Sequence, residues 1–107
     1  MKLSKLIFVL ILLALLACIP KTKVVSIQSH DVYGENLFSK AENFFNSRQY
    51  DRALETYSEY IAQFPGSHLV PAALMRTGAI HDTLGENEKA RNIYMRLISN
   101  YPKSDYA

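Results

Sequence analysis

The chain has 107 residues, room for a single domain. Hydrophobic side chains make up 49% and charged ones 21%, too mixed a composition for a protein that crosses a membrane many times. The net charge of +2 rests on Lys2 and Lys5: from Cys18 onward ten basic side chains face ten acidic ones. That balance excludes the basic excess of a nucleic-acid binder and gives no electrostatic pull toward anionic lipid. A single cysteine excludes an internal disulfide. With no tryptophan, the core has to rest on Tyr, Phe, Leu and Ile.

The first element is an export signal over residues 1–17. Met1 to Lys5 is positive, and Leu6 to Leu16 is an unbroken apolar run. That length suits the core of a signal peptide and falls short of a bilayer span. The run ends in Leu15-Leu16-Ala17-Cys18, a small residue followed at once by the only thiol of the chain. This resembles the bacterial lipobox, although Leu16 is a tolerated residue there and not the preferred one. The resemblance implies cleavage between Ala17 and Cys18, a lipid on the Cys18 thiol, and acylation of the new N-terminus by a chain such as palmitate. Each buried methylene contributes about 0.8 kcal/mol, so several acyl chains anchor stably. A plain N-terminal membrane anchor fits less well, because the run is short and Pro20 follows it. Ile19 stands where, in the sorting rule this resembles, Asp retains a lipoprotein at the inner membrane. Its identity implies the outer membrane, with the protein facing the periplasm.

Residues 18–35 read as the lipidated N-terminus and a tether. Pro20, Gly34 and scattered Ser and Thr interrupt any helical apolar period. As a flexible coil, such a segment has an end-to-end distance of roughly 21–25 Å. Val24-Val25-Ser26-Ile27 carries strand propensity, yet a spacer is the favoured reading.

Residues 36–107 contain an internal repeat with an offset of 37. Ala53 pairs with Ala90, Tyr57 with Tyr94, and Ile61 with Ile98. Phe64-Pro65 pairs with Tyr101-Pro102, and Ser67 with Ser104. Upstream, Leu37 pairs with Leu74, Phe38 with Met75, and Ala41 with Gly78. A helical array is the leading reading. Ala53, Tyr57, Tyr60, Ile61 and Phe64 form one apolar stripe at helical spacing, which predicts a back helix; Ala90, Tyr94, Leu97, Ile98 and Tyr101 repeat it. Leu37, Phe38, Ala41, Phe44 and Phe45 predict a front helix. Pro65 and Pro102 end the back helices, and Gly85 is placed to end the second front helix in a left-handed conformation. Ser67 is expected to cap the next front helix, with Pro71 in its first turn. The fold class is all-α: two repeats, about 36–66 and 68–103, with the start of a third.

These residues resemble the tetratricopeptide repeat. Ala41, Phe44, Ala53, Tyr57 and Pro65 fill its pattern in the first unit, and Gly78, His81, Ala90, Tyr94 and Pro102 in the second. His81 replaces the usual aromatic, Tyr60 replaces a small residue, and the period exceeds the common one. The resemblance implies hairpins stacked as a right-handed solenoid. Together with the lipobox and the tether, the repeats resemble the BamD-like lipoproteins of the outer-membrane β-barrel assembly machinery. The periplasmic repeat protein of the Tol-Pal system is similar in its repeats but is not normally lipidated.

No residue set points to catalysis, a metal or a small-molecule substrate. His30, His68 and His81 lack the one-turn pairing of a helical metal site. No phosphate loop and no Gly-x-Ser-x-Gly setting occurs. The expected cofactor complement is none beyond the covalent lipid on Cys18. Arg48, Arg52, Arg91 and Arg96 read as solvated helix charges. By the family's geometry, the partner-binding face is Phe38, Glu42 and Phe45 of the first unit with Met75, Ala79 and Asp82 of the second. Phe38, Phe45 and Met75 suit an apolar helix or an extended peptide, with burial against a neighbouring helix weighing equally. Because a stack of two units leaves Tyr94, Leu97 and Ile98 short of cover, either the chain continues or a partner completes it. The functional expectation is a lipid-anchored scaffold binding protein partners, with outer-membrane assembly first. A Tol-Pal or cell-wall scaffold and the anchored front of an envelope enzyme are the alternatives.

Overall fold

The computed structural model describes residues 2–17 and 21–107, and side chains over residues 2–13 and 30–107. The described residues form α1 (Lys2–Ala17), α2 (Lys21–Asn46), α3 (Tyr50–Gln63), α4 (Val70–Thr83) and α5 (Asn87–Asn100), with no strand among them. They divide into two compact units, Met1–Asp31 and Val32–Ala107.

The first unit holds α1. Its apolar residues lie all round the helix, and Leu3 and Leu6 to Leu13 are each 53–76% exposed. An α-helix of this length spans roughly 24 Å, short of the roughly 30 Å hydrocarbon core. No described helix is long and apolar enough to cross a membrane.

The segment read as a tether differs from that expectation. The backbone is already helical from Lys21, and α2 continues without a break to Asn46. Val24 to Ile27 accordingly belongs to a helix and not to a strand. No proline interrupts residues 21–46, so continuing the helix costs little once it has been nucleated further along. Gly34 is buried, and a methyl group on it would meet the Phe64 ring at 3.1–3.4 Å. It marks a close helix approach, where the sequence reads as a spacer.

The second unit is built from two hairpins, α2 with α3 and α4 with α5. Their shared core is Leu37, Ala41, Ala53, Tyr57, Tyr60, Val70, Ala73, Leu74, Ile80 and Leu97. Burial follows the predicted back-helix stripes except at Ile98, which is 55% exposed. Within the second hairpin, Gly78 lies under the Tyr94 ring: a methyl group there would come within 2.8 Å of ring atoms Cδ1 and Cζ and closer still to Cε1. Thr56 and Thr77 are buried, and each donates its hydroxyl to a carbonyl four residues back, Arg52 at 2.7 Å and Ala73 at 2.8 Å. That bond removes the cost of burying the hydroxyl group.

Both front helices end in the same turn. After α4, Gly85 takes φ +76; its N–H bonds the Asp82 carbonyl at 3.0 Å and the Glu86 N–H bonds the His81 carbonyl at 2.8 Å. After α2, Arg48 takes φ 59 at the matching position, with N–H bonds from Arg48 to Phe45 at 3.0 Å and from Gln49 to Phe44 at 2.9 Å. This is the Schellman arrangement. Arg48 is therefore exposed as expected, but it is a strained turn residue and not part of a helix.

Ser67 also departs from expectation. The residue flanking the start of α4 is Leu69, with no side-chain cap, and Pro71 lies in the first turn. Ser67 sits two residues earlier, where its Oγ accepts the Leu69 N–H at 3.1 Å and pairs with the Tyr60 hydroxyl at 2.6 Å. Ser104 repeats the turn, accepting the Tyr106 N–H at 3.1 Å. A serine-type turn explains why Ser recurs at this offset.

The left-handed position held by Arg48 generates a prediction. An L side chain pays roughly 1 kcal/mol or more for that conformation, which glycine does not. Arg48→Gly should raise the stability by about 0.5–1 kcal/mol in urea unfolding, after the unfolded-state entropy of glycine is offset. A loss of stability would show that the Arg48 side chain contributes more than its backbone strain costs.

Candidate protein-binding face of the front helices

The front helices α2 and α4 place Phe38 in register with Met75, Glu42 with Ala79, and Phe45 with Asp82. The structure treats the members of each pair differently. Phe38 is half-buried, edge-on to Tyr57 at 6.0 Å and to Tyr60 at 5.3 Å. Its inner side thus belongs to the core. Phe45 is half-buried beside Tyr50, with ring centroids 6.2 Å apart. Met75 is 36% exposed. Ala79 is half-buried, and its carbonyl accepts the Thr83 hydroxyl at 2.9 Å. Asp82 is exposed and accepts the Tyr94 hydroxyl at 2.9 Å.

Glu42 is the centre of the face. One of its oxygens accepts Arg76 Nε at 3.0 Å, and the other accepts Arg76 Nη2 at 3.3 Å. The Tyr57 hydroxyl donates to the same carboxylate from α3. The Arg76 guanidinium also lies 4.8 Å from the Phe45 ring centroid, a cation–π geometry. One carboxylate thereby joins α2, α3 and α4. Beside it a recess of about 110 Å³ is lined by Phe38, Glu42, Leu69, Met75, Arg76 and Tyr106. Three of the six expected residues meet at this recess: Phe38, Glu42 and Met75. Phe45 adjoins them through Arg76, whereas Ala79 and Asp82 lie outside the lining. The pairing of a back-helix tyrosine with a front-helix carboxylate occurs twice, but the acid moves by one turn, from Glu42 to the residue in register with Phe45.

Arg76 is the residue that sequence reasoning missed. It stands 34 positions from Glu42, and its register partner is Ser39, so the repeat carries no signal for it.

The electrostatics follow from these contacts. Burial, and then the bond to Glu42, pushes the Tyr57 hydroxyl well above the ordinary tyrosine range. Burial and the Asp82 carboxylate raise Tyr94 in the same direction. The hydrogen bonds to Glu42 raise Arg76 further.

Among the histidines, His81 occupies the position matching Phe44 and is half-buried. Its Nδ1 is buried without a hydrogen-bond partner, 3.7 Å from Glu86 Oε1. His30 and His68 are exposed. No group of three metal-ligating side chains occurs among the described residues. Ala17 ends α1, and the lipidation expected at Cys18 lies outside the described residues.

Comparison with known families finds the tetratricopeptide repeat, matched at residues 35–67 and 72–104. No curated protein and no solved structure matches the chain.

The tyrosine shifts set an alkaline limit. Unfolded tyrosine titrates near 10, whereas folded Tyr57 holds its proton beyond that. The unfolded chain therefore releases the proton first, so stability is intact below pH 10 and falls as pH rises past it. Tyr57→Phe should flatten that decline in pH-dependent urea unfolding, and Tyr94→Phe should do so less. An unchanged slope in Tyr57→Phe would contradict the raised titration assigned to buried Tyr57.

Proposed function

The chain belongs to the tetratricopeptide-repeat family, whose stacked hairpins are protein-interaction scaffolds, and from that premise we propose that it is a lipid-anchored scaffold holding partner proteins at the periplasmic side of a bacterial outer membrane. The observation that carries the scaffold reading is the recess between α2 and α4. It sets apolar Phe38 and Met75 beside the charged Glu42–Arg76 pair. Such a surface offers an apolar seat with a polar group to orient an incoming helix or peptide. Tyr57 and Phe45 hold that polar pair in place, so the site is formed before a partner arrives.

The anchoring half of the proposal is supported by α1. An apolar helix with no polar face has no reason to stay in water, and here it is followed directly by Cys18. Signal cleavage before Cys18 and lipid on its thiol would remove that helix and leave the repeats attached to the membrane. The anchor needs no cofactor, and the binding is non-covalent. Outer-membrane β-barrel assembly is the process we assign, on the combined pattern of lipobox and repeats. Components of Tol-Pal or of the cell wall recovered as partners would transfer the scaffold to those systems.

Anchoring is tested by fractionation of cells given a labelled fatty acid. The wild-type protein should sediment with membranes and carry label, and Cys18→Ala should be unlabelled and leave the outer-membrane fraction. Retention of Cys18→Ala in the outer membrane would contradict the lipid anchor. Purification of the wild-type protein in mild detergent then identifies the partner class, with barrel-assembly proteins as the expected companions.

A further inference from the structure

A residue outside the front helices completes the recess between α2 and α4. Tyr106 stands in register with Leu69, and the same serine turn sets both. Ser67 Oγ accepts the Leu69 N–H at 3.1 Å, and Ser104 Oγ accepts the Tyr106 N–H at 3.1 Å. The backbone agrees: the Val70 N–H bonds the Ser67 carbonyl at 3.2 Å, and the Ala107 N–H bonds the Ser104 carbonyl at 3.1 Å. The turn of the repeat therefore places Tyr106. Leu69 is half-buried against the core, whereas Tyr106 is 51% exposed and lines the recess with Phe38, Glu42 and Arg76.

The polar edge of this recess has hydrogen-bonding capacity left over. Arg76 gives Glu42 one N–H from Nε and one from Nη2; the second N–H of Nη2 and both of Nη1 remain, on a side chain that is 45% exposed. The Tyr106 phenol lies within electrostatic reach of that guanidinium. Its hydroxyl has no hydrogen-bond partner among the described residues. Both groups flank an apolar floor of Phe38, Leu69, Ala72 and Met75.

These features select among partner chemistries. Glu42 already pairs with Arg76, so a second carboxylate arriving there would be repelled by the first. Neutral carbonyl oxygens meet no such opposition. A helix keeps its main-chain carbonyls in its own hydrogen bonds except in the last turn. An extended segment presents carbonyls along its edge and turns alternate side chains to opposite sides.

We infer that Tyr106 is a recognition residue and that the recess takes an extended, uncharged peptide segment of a partner protein. The Tyr106 hydroxyl and the remaining Arg76 N–H groups donate to main-chain carbonyls, while one apolar side chain enters between Phe38 and Met75. The inference rests on the scaffold reading and narrows its partner. An amphipathic helix seated in the same recess is the rival.

The test selects short peptides from a random displayed library against the full chain in mild detergent and reads their affinities by fluorescence polarisation. Peptides that lose binding with Met75→Arg are scored as recess binders. They should be poor in charged residues. They should also keep their affinity when proline replaces residues beside the seated side chain, since proline retains its carbonyl but breaks a helix. Tyr106→Phe should weaken them roughly threefold to tenfold, the loss of one hydrogen bond. Its melting temperature should not change, because Tyr106 is half exposed, and Arg91→Gln on the back helix should leave affinity unaltered. Unaltered affinity in Tyr106→Phe, binding abolished by proline, or no recess binder at all would overturn the inference. None of these results bears on the lipid anchor. A protein partner crosslinked from the front-helix face in cells with equal yield in wild type and Tyr106→Phe would overturn this inference and leave the scaffold reading standing.

Discussion

Two packed helices can approach only as closely as the side chains between them permit, and in this chain the second hairpin closes until the Tyr94 ring lies on the bare backbone of Gly78. In the first hairpin the matching residues are Ala41 and Tyr57, both fully buried in the shared core. The close approach has a second consequence. A tyrosine packed across its partner helix carries its hydroxyl to the far edge, where the front-helix face begins. There Tyr57 donates to Glu42 and Tyr94 donates to Asp82. Packing and surface chemistry are therefore joined in the same two residues. Enlarging Gly78 would displace the ring and with it the hydroxyl that orders the face.

Glu42 turns this arrangement into a link between repeats. Held by Tyr57 within its own hairpin, the carboxylate also pairs with Arg76 of the next, which in turn covers Phe45. Arg76 and Glu42 are only partly shielded from water, so their contribution is better read as orientation than as stability. A two-point contact between guanidinium and carboxylate fixes direction as well as distance. The recess beside Phe38 and Met75 inherits its shape from that contact.

Much of this was legible in the sequence because the repeat was. The 37-residue offset placed the core residues Leu37, Ala53, Tyr57, Leu74 and Leu97 and the small positions Ala41 and Gly78, and glycine as a residue type marked the turn at Gly85, whereas Val70, Ala73 and Ile80 carried no such signal. The features that escaped have no repeat partner or no residue-type signal. Arg48 occupies a left-handed turn usually marked by glycine. Arg76 stands in register with a serine. The helix across residues 21–35 lacks an apolar period, and Gly34 reads as a break until the Phe64 ring is seen against it. Phe38 was correctly placed on the front helix, yet only the fold shows that its inner side belongs to Tyr57 and Tyr60.

The central claim is that the front-helix face of a membrane-anchored repeat protein receives protein partners. Site-specific photo-crosslinking in intact cells addresses it directly, with the probe placed at exposed Met75 and, in a parallel strain, at exposed Arg91 on the back helix. The account predicts a discrete crosslinked protein from Met75 that is absent from Arg91 and lost from the Met75 strain when Cys18→Ala is introduced. Equal crosslinking from both positions, or none from Met75 in the anchored protein, would contradict it.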